Sequence, residues 1–227
     1  MKKLSYLIAP IASLLVFIIW TILVKIVDVH YIQSIGFLGF YNMNTHFMGA
    51  LQNFDTHLFD KLTDVLLYIS LASVLVIAGF GVYQLIKRKS LKKVDPIIYF
   101  DLCGYVLMVV MYFIFELVKI NYGPTSTPDK LKASYPSSHV FIFMVVMGLG
   151  LLTLLHYKNN KTMKIICYAE FGLLSILMAM LRSFSGQHYL SDIFGGVFLG
   201  FALVATIHEL VRYYFKEIKQ EENVTLD

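Results

Sequence analysis

Two short stretches of this sequence of 227 residues combine side chains that suit chemistry on phosphate. They read YPSSH over residues 135–139 and RSFSGQHYLSD over residues 182–192. Their polar groups belong to Ser137, Ser138, His139, Arg182, His188 and Asp192. Imidazole acts as a nucleophile or an acid–base group near neutral pH, and guanidinium binds phosphate oxygens through paired N–H donors. The combination therefore indicates a site for an anionic substrate.

The spacing of His188 and Asp192 carries a more specific expectation. They are four residues apart at a predicted helix start, so we expect them to share one helix face. A carboxylate that accepts one imidazole N–H fixes the tautomer and leaves the other nitrogen as a nucleophile or base. The alternative is that both residues only cap or decorate the helix start. Taken singly, His139 also suits a structural role and Arg182 an anchor at a helix end.

The elements that must position these side chains are predicted to be membrane helices. Hydrophobic residues form 58% of the chain, above the about 45–50% typical of soluble domains, and runs of about 20 apolar residues can cross a bilayer. We predict an all-α polytopic protein, a single membrane domain over residues 1–227 whose six transmembrane helices form a bundle. The predicted spans are Leu4–Val27, Val65–Ile86, Pro96–Val118, Val140–His156, Ile165–Leu181 and Tyr189–Val211. The segment 30–64 is predicted to be interfacial or re-entrant.

Basic residues predict the orientation of these spans. Thirteen of the 19 lysines and arginines fall on one side of the membrane, which places both termini in the cytoplasm of a multi-pass cell-membrane protein. Span four then begins on the outer side, span five ends there and span six begins there. The six polar residues of the two stretches therefore meet near the outer interface. Because topology accounts for the basic clusters, no nucleic-acid partner is predicted.

The two stretches together are similar to the motifs of a known family. PSSH, followed by Arg182, five residues, His188, three residues and Asp192, resembles the type 2 phosphatidic acid phosphatase superfamily. That superfamily also includes vanadium haloperoxidases and bacterial acid phosphatases. Its second motif is Pro-Ser-Gly-His and its third is Ser-Arg-x5-His-x3-Asp. The resemblance covers about residues 119–196, the motif-bearing core.

The resemblance implies a phosphohistidine mechanism that uses neither metal nor cofactor. It implies that His188 attacks phosphorus and that Asp192 orients its imidazole. It also implies that His139 protonates the leaving oxygen and then activates water, which gives a bell-shaped pH dependence. The phosphate-binding groups that it implies are on Arg182, Ser137, Ser138 and Lys119.

Three positions depart from the family pattern. Leu181 replaces the serine of the third motif, and Ser138 replaces the glycine of the second. The first motif, Lys-x6-Arg-Pro, is incomplete, because no arginine precedes the prolines that follow Lys119. Lys130 or Lys132 could supply the missing cation.

Two functions remain open on the sequence. The first is an integral membrane lipid phosphatase acting at the outer face, with undecaprenyl diphosphate favoured as substrate and phosphatidic acid or phosphatidylglycerophosphate next. The second is a weak or inactive homologue that binds or moves a lipid phosphate. Retention of both histidines and Asp192 favours the enzyme, since binding alone needs neither a proton donor nor a nucleophile.

Overall fold

A computed structural model describes residues 4–33, 35–158 and 160–218, and within these ranges the chain forms an all-α bundle with one small β-hairpin. The longer elements are α1 (Ser5–Ile26), β1 (His30–Ile32), β2 (Gly36–Leu38), α2 (Tyr41–Ala50), α3 (Thr56–Arg88), α4 (Pro96–Leu117), α5 (Ser138–Tyr157), α6 (Lys161–Phe184) and α7 (Leu190–Tyr213). Short helical turns cover Leu51–Asn53, Leu91–Lys93 and Tyr214–Ile218. Six helices, α1 and α3 to α7, are long and apolar enough to cross a membrane, as predicted. The predicted cytoplasmic placement of the termini falls mainly on residues outside the described ranges.

Helix α3 differs most from its predicted bounds. It begins at Thr56, well before the predicted Val65, and continues for 33 residues. The carboxylate of Asp55 accepts a hydrogen bond from the Leu58 amide and caps the helix, and neither glycine nor proline interrupts residues 56–64. The predicted span begins where the charged residues end, because it is read from hydropathy. Backbone hydrogen bonding continues through charged residues, so the helix begins earlier. The extra turns project acidic side chains beside the candidate site.

The segment 30–64 is tied to the start of α7. β1 and β2 pair antiparallel, with His30 opposite Leu38. In α2, the buried amide of Asn44 donates to the Gly39 carbonyl at 2.8 Å and to the Ser191 hydroxyl at 3.0 Å. These contacts support the helix that carries Asp192, while the interfacial or re-entrant placement of the segment stays a prediction.

Helices α5 and α7 form the centre of the bundle. In their most apolar stretches 61% and 56% of residues are buried, against 22% or less in the other four spans. The two helices approach closely near the candidate site, where α7 has Gly195 and Gly196. A Cβ on Gly196 would lie 2.7 Å from the carbonyl oxygen of Ser137. This glycine therefore sets how closely the start of α5 lies to α7.

Replacing Gly196 with alanine is expected to lower both thermal stability and activity, because the new methyl meets backbone that cannot rotate away. Gly172→Ala in α6 is the matched control, since no atom lies within 4 Å of its Cβ position. That control should keep or slightly raise the melting temperature, because alanine favours helix. Thermal unfolding in detergent and phosphate release measure both variants, and equal melting temperatures would contradict the close-packing account.

Candidate active site

The start of α5, the end of α6 and the start of α7 meet at one end of the bundle. The Ser137 amide donates to the Asp192 carbonyl oxygen at 2.9 Å, which fixes α5 against α7. The hairpin-like connection between α4 and α5 closes over this junction, where the Ser134 amide donates to the Asn121 carbonyl at 3.0 Å. The structure thus brings both sequence motifs to one place, as their topology predicts.

His188 lies in the short connection between α6 and α7 and is only 8% exposed. Its Nδ1 lies 3.0 Å from the Ser134 carbonyl oxygen. Because a carbonyl can only accept, Nδ1 carries the hydrogen and the neutral ring has its lone pair on Nε2. A backbone contact therefore fixes the tautomer that a nucleophile requires.

The expected pairing of His188 with Asp192 is wrong. α7 begins at Leu190, with Tyr189 as its N-cap, so His188 precedes the helix and does not share a face with Asp192. The buried Asp192 carboxylate accepts instead from the Tyr189 amide at 3.2 Å and from Asn121 Nδ2 at 2.9 Å. Asp192 therefore caps α7 and ties it to the loop that carries Ser134, which is the alternative left open by the sequence.

Burial, together with the nearby charges of Arg182 and His139, lowers the pKa of His188 to about 3, against a raising effect of the Ser134 hydrogen bond. Both charges act on His188 because the end of α6, the first turn of α5 and the connection before α7 meet at this end of the bundle. His188 is consequently neutral at physiological pH.

This low pKa predicts a fold that loses stability in acid while the imidazole of His188 stays neutral. Between pH 6.5 and about 3 the unfolded chain takes up a proton on His188 that the native protein excludes. Stability from this residue is therefore complete above pH 6.5 and falls by about 1.4 kcal/mol per pH unit below it. Melting temperatures from pH 7 to 4.5 should fall more steeply for the wild type than for His188→Gln. The fall of kcat/KM on the acid side should lie below pH 5. A fall on the acid side with a midpoint near pH 6.5 would contradict the lowered pKa of His188.

His139, in the first turn of α5, contacts a carboxylate that the motifs do not contain. Its Nε2 lies 2.9 Å from Oδ1 of Asp64 on α3. Since the carboxylate accepts, Nε2 donates and Nδ1 remains available for a substrate. This contact makes an Asp–His pair from two helices that are distant in sequence.

Arg182 is held by the same helix. Its Nη1 donates to Oδ1 of Asp60 at 2.5 Å and to Oγ1 of Thr63 at 3.2 Å. Asp60 and Asp64 are four residues apart and so share one face of α3. Sequence reasoning missed both, although their four-residue spacing just before the predicted second span was a usable signal.

Two buried polar atoms in this cluster have no hydrogen-bond partner among the described residues. They are Nε of Arg182 and Oγ of Ser137, which is fully buried. Leaving a buried donor unpaired is costly, so such atoms at a site require an explanation. Both can donate to an anion, and a bound phosphate would satisfy them.

The other two predicted phosphate ligands, Ser138 and Lys119, lie in different surroundings. Ser138 lines a cavity of about 20 Å³ with His188, and side chains of α4 including Tyr112 and Glu116 form the opposite wall. Lys119 is exposed, with Nζ 6.0 Å from the centre of the Tyr122 ring. Lys130 and Lys132 are exposed on the loop before α5. That one of them replaces the missing arginine stays a prediction.

A six-span helical bundle with this end-on cluster is the fold of a PAP2-type membrane lipid phosphatase. The chain belongs to the PAP2 superfamily, whose sequence profile matches residues 62–216. Its structure is similar to the crystal structure of a transmembrane PAP2-type phosphatidylglycerophosphate phosphatase from Bacillus subtilis, with a TM-score of 0.66 and 16% identity. The match covers 92% of this chain and 98% of that one. No curated protein sequence matches this chain significantly.

Proposed function

We propose that this protein removes a terminal phosphate from a membrane lipid through a phosphohistidine intermediate. The observation that carries the proposal is the pair of buried, unpartnered donors, Arg182 Nε and Ser137 Oγ, in the cluster that holds a neutral His188. A buried site with orphaned donors and a pre-set nucleophile suits an anion that is attacked rather than only stored.

The proposed reaction has two balanced steps. His188 Nε2 attacks phosphorus and the phosphorus–oxygen bond to the lipid breaks. The protonated ring of His139 gives its Nδ1 proton to the departing oxygen, while its Nε2 proton stays on the contact with Asp64. Water then attacks the phosphohistidine, His139 accepts a proton from that water, and the phosphorus–nitrogen bond breaks to restore His188. Arg182 and Ser137 hold the equatorial oxygens, with Ser138 at the cavity wall. The exposed Lys119 would add the further phosphate contact that the family motif implies.

A lipid rather than a soluble phosphate is proposed because of where the cavity beside His188 lies. It is bounded by α4 and the start of α5, at the mouths of membrane helices. Its volume of about 20 Å³ holds about one water molecule, so substrate binding must widen it. The bias of basic residues predicts that this end faces outward. A headgroup anchored in the outer leaflet would reach it from the side.

Undecaprenyl diphosphate is the proposed substrate, with phosphatidylglycerophosphate and phosphatidic acid as the rivals. The name of the Bacillus subtilis structure favours the phosphatidylglycerophosphate rival. Phosphate release in mixed micelles should be compared for the three lipids and for a soluble phosphomonoester. We expect release from a lipid to exceed release from the soluble compound, and the reverse order would contradict lateral access.

A non-catalytic binder of lipid phosphate is the second candidate. It is favoured by Asp60 and Asp64, which already engage Arg182 and His139 and add negative charge to a site that lacks the first-motif arginine. Brief incubation with a 32P-labelled lipid phosphate followed by an alkaline quench separates the two functions. A labelled, acid-labile adduct supports catalysis, and saturable lipid binding without any adduct supports the binder.

A further inference from the structure

A second cavity lies at the other end of the bundle from the candidate active site. It has a volume of about 650 Å³ and is bounded by the end of α5, the beginning of α6 and the end of α7 with the turn that follows. His156 in its wall is seventeen residues along α5 from His139, which corresponds to about 25 Å along the helix. We call it the basic cavity, and its position places it at the opposite membrane face.

Three cations from separate elements converge on the basic cavity. They are Lys164 on α6, Arg212 on α7 and Lys216 in the turn after α7. Arg212 Nη1 donates to both carboxylate oxygens of Glu209, at 2.6 and 2.9 Å, so its charge is balanced. Lys164 and Lys216 have no ion-pair partner within the described ranges, which leaves two uncompensated positive charges at the mouth.

The floor of the basic cavity continues into an apolar one. A cavity of about 220 Å³ shares Leu152, Leu155, Tyr168 and His208 with it and extends between α5, α6 and α7. Beyond the shared residues its walls are apolar, from residues such as Leu151, Phe171 and Phe201, except for Glu209, whose carboxylate is paired with Arg212. A cationic mouth above an apolar recess has the shape and polarity of a phospholipid with an anionic headgroup.

We propose that the basic cavity binds the phosphate of an anionic phospholipid, with part of an acyl chain in the apolar recess, on the face opposite the active site. The topological role of basic residues explains their side of the membrane but not their convergence on a cavity. Basic pockets between membrane helices at this depth suit anionic headgroups. The lipid bound here is not hydrolysed, because neither histidine of the candidate active site is within reach.

The test compares two double variants of equal charge change. Lys164→Gln/Lys216→Gln removes the uncompensated charges of the cavity, whereas Lys92→Gln/Lys93→Gln removes two exposed lysines of the turn before α4, outside the cavity. The purified full chain in neutral detergent is titrated with dioleoyl phosphatidylglycerol, and retained lipid is counted by native mass spectrometry. We expect the apparent Kd to rise about tenfold or more in the cavity variant and less than twofold in the control.

Two further arms fix the source and the place of binding. Glycerophosphoglycerol, the headgroup without acyl chains, should bind far more weakly, and equal binding would remove the role of the apolar recess. The variant Arg182→Gln should retain this lipid, because it alters only the opposite end of the bundle. Equal losses in both double variants, or no loss in either, would overturn the proposal by showing diffuse attraction or none. Elution as a single sharp peak confirms that each variant is folded.

Discussion

Replacing His188 with alanine is expected to lower kcat/KM for lipid phosphate by about 10⁴-fold or more. The imidazole is buried, its Nδ1 is anchored to the Ser134 carbonyl, and its pKa of about 3 keeps it neutral. The other histidine, His139, contacts Asp64 through Nε2 and is assigned the proton-donor role in the proposed reaction. Loss of the nucleophile removes the covalent route rather than weakening one contact.

The 32P label and the release of inorganic phosphate together measure this effect. His188→Ala should give no labelled adduct and no release above background, while binding of the lipid persists through Arg182 and Ser137. His57→Ala is the matched control, since that exposed histidine of α3 lies outside the cluster. Release within tenfold of the wild type from His188→Ala would end the phosphohistidine assignment.

Replacing His139 with alanine is expected to lower kcat by about 10²–10⁴-fold, the usual range for a lost acid–base group. The accompanying loss in kcat/KM, which reports the first step, should be smaller for an aryl phosphate than for a lipid phosphate, because an aryl oxide leaves without protonation. The phosphohistidine should accumulate with the aryl ester, since no base activates water for the second step. Burst kinetics with the aryl ester measure the accumulation, and equal losses in kcat/KM for both substrates would contradict the proton-donor role.

Replacing Asp64, the partner of His139, is expected to lower kcat less than replacing His139 itself. Asp64→Asn keeps the shape but removes the charge that accepts from Nε2 of His139. A hydrogen bond to a charged group contributes about 1.5–3 kcal/mol, so we expect a tenfold to hundredfold loss in kcat with KM nearly unchanged. Asp129→Asn, on the exposed loop before α5, is the control. Wild-type kcat in Asp64→Asn would show that His139 needs no partner.

Much of the fold was readable because its signals are local. Apolar runs of sufficient length predict spans without any knowledge of their neighbours. The parity of those spans then places His139, Arg182 and His188 at one end, where the structure indeed gathers them. The role of Gly196, by contrast, depends on the Ser137 carbonyl oxygen at the start of α5, which comes within 3 Å of its Cβ position.

The partners of the site residues depended on packing. The four-residue spacing of His188 and Asp192 suggested a pair, but the helix starts two residues after the histidine, so a carboxylate that looked catalytic became a cap. A four-residue spacing places two side chains on one face only when both lie inside the same regular helix, and His188 lies outside α7.

The sequence by itself determined the membrane class, the six helices and the end of the bundle at which the reactive side chains collect, because hydropathy and periodicity are properties of contiguous residues. Only the tertiary structure decided which group contacts which. Asp60 and Asp64 reach Arg182 and His139 across separations of 122 and 75 residues. Contacts of that range depend on how helices pack side by side, and no local pattern along the chain encodes that geometry.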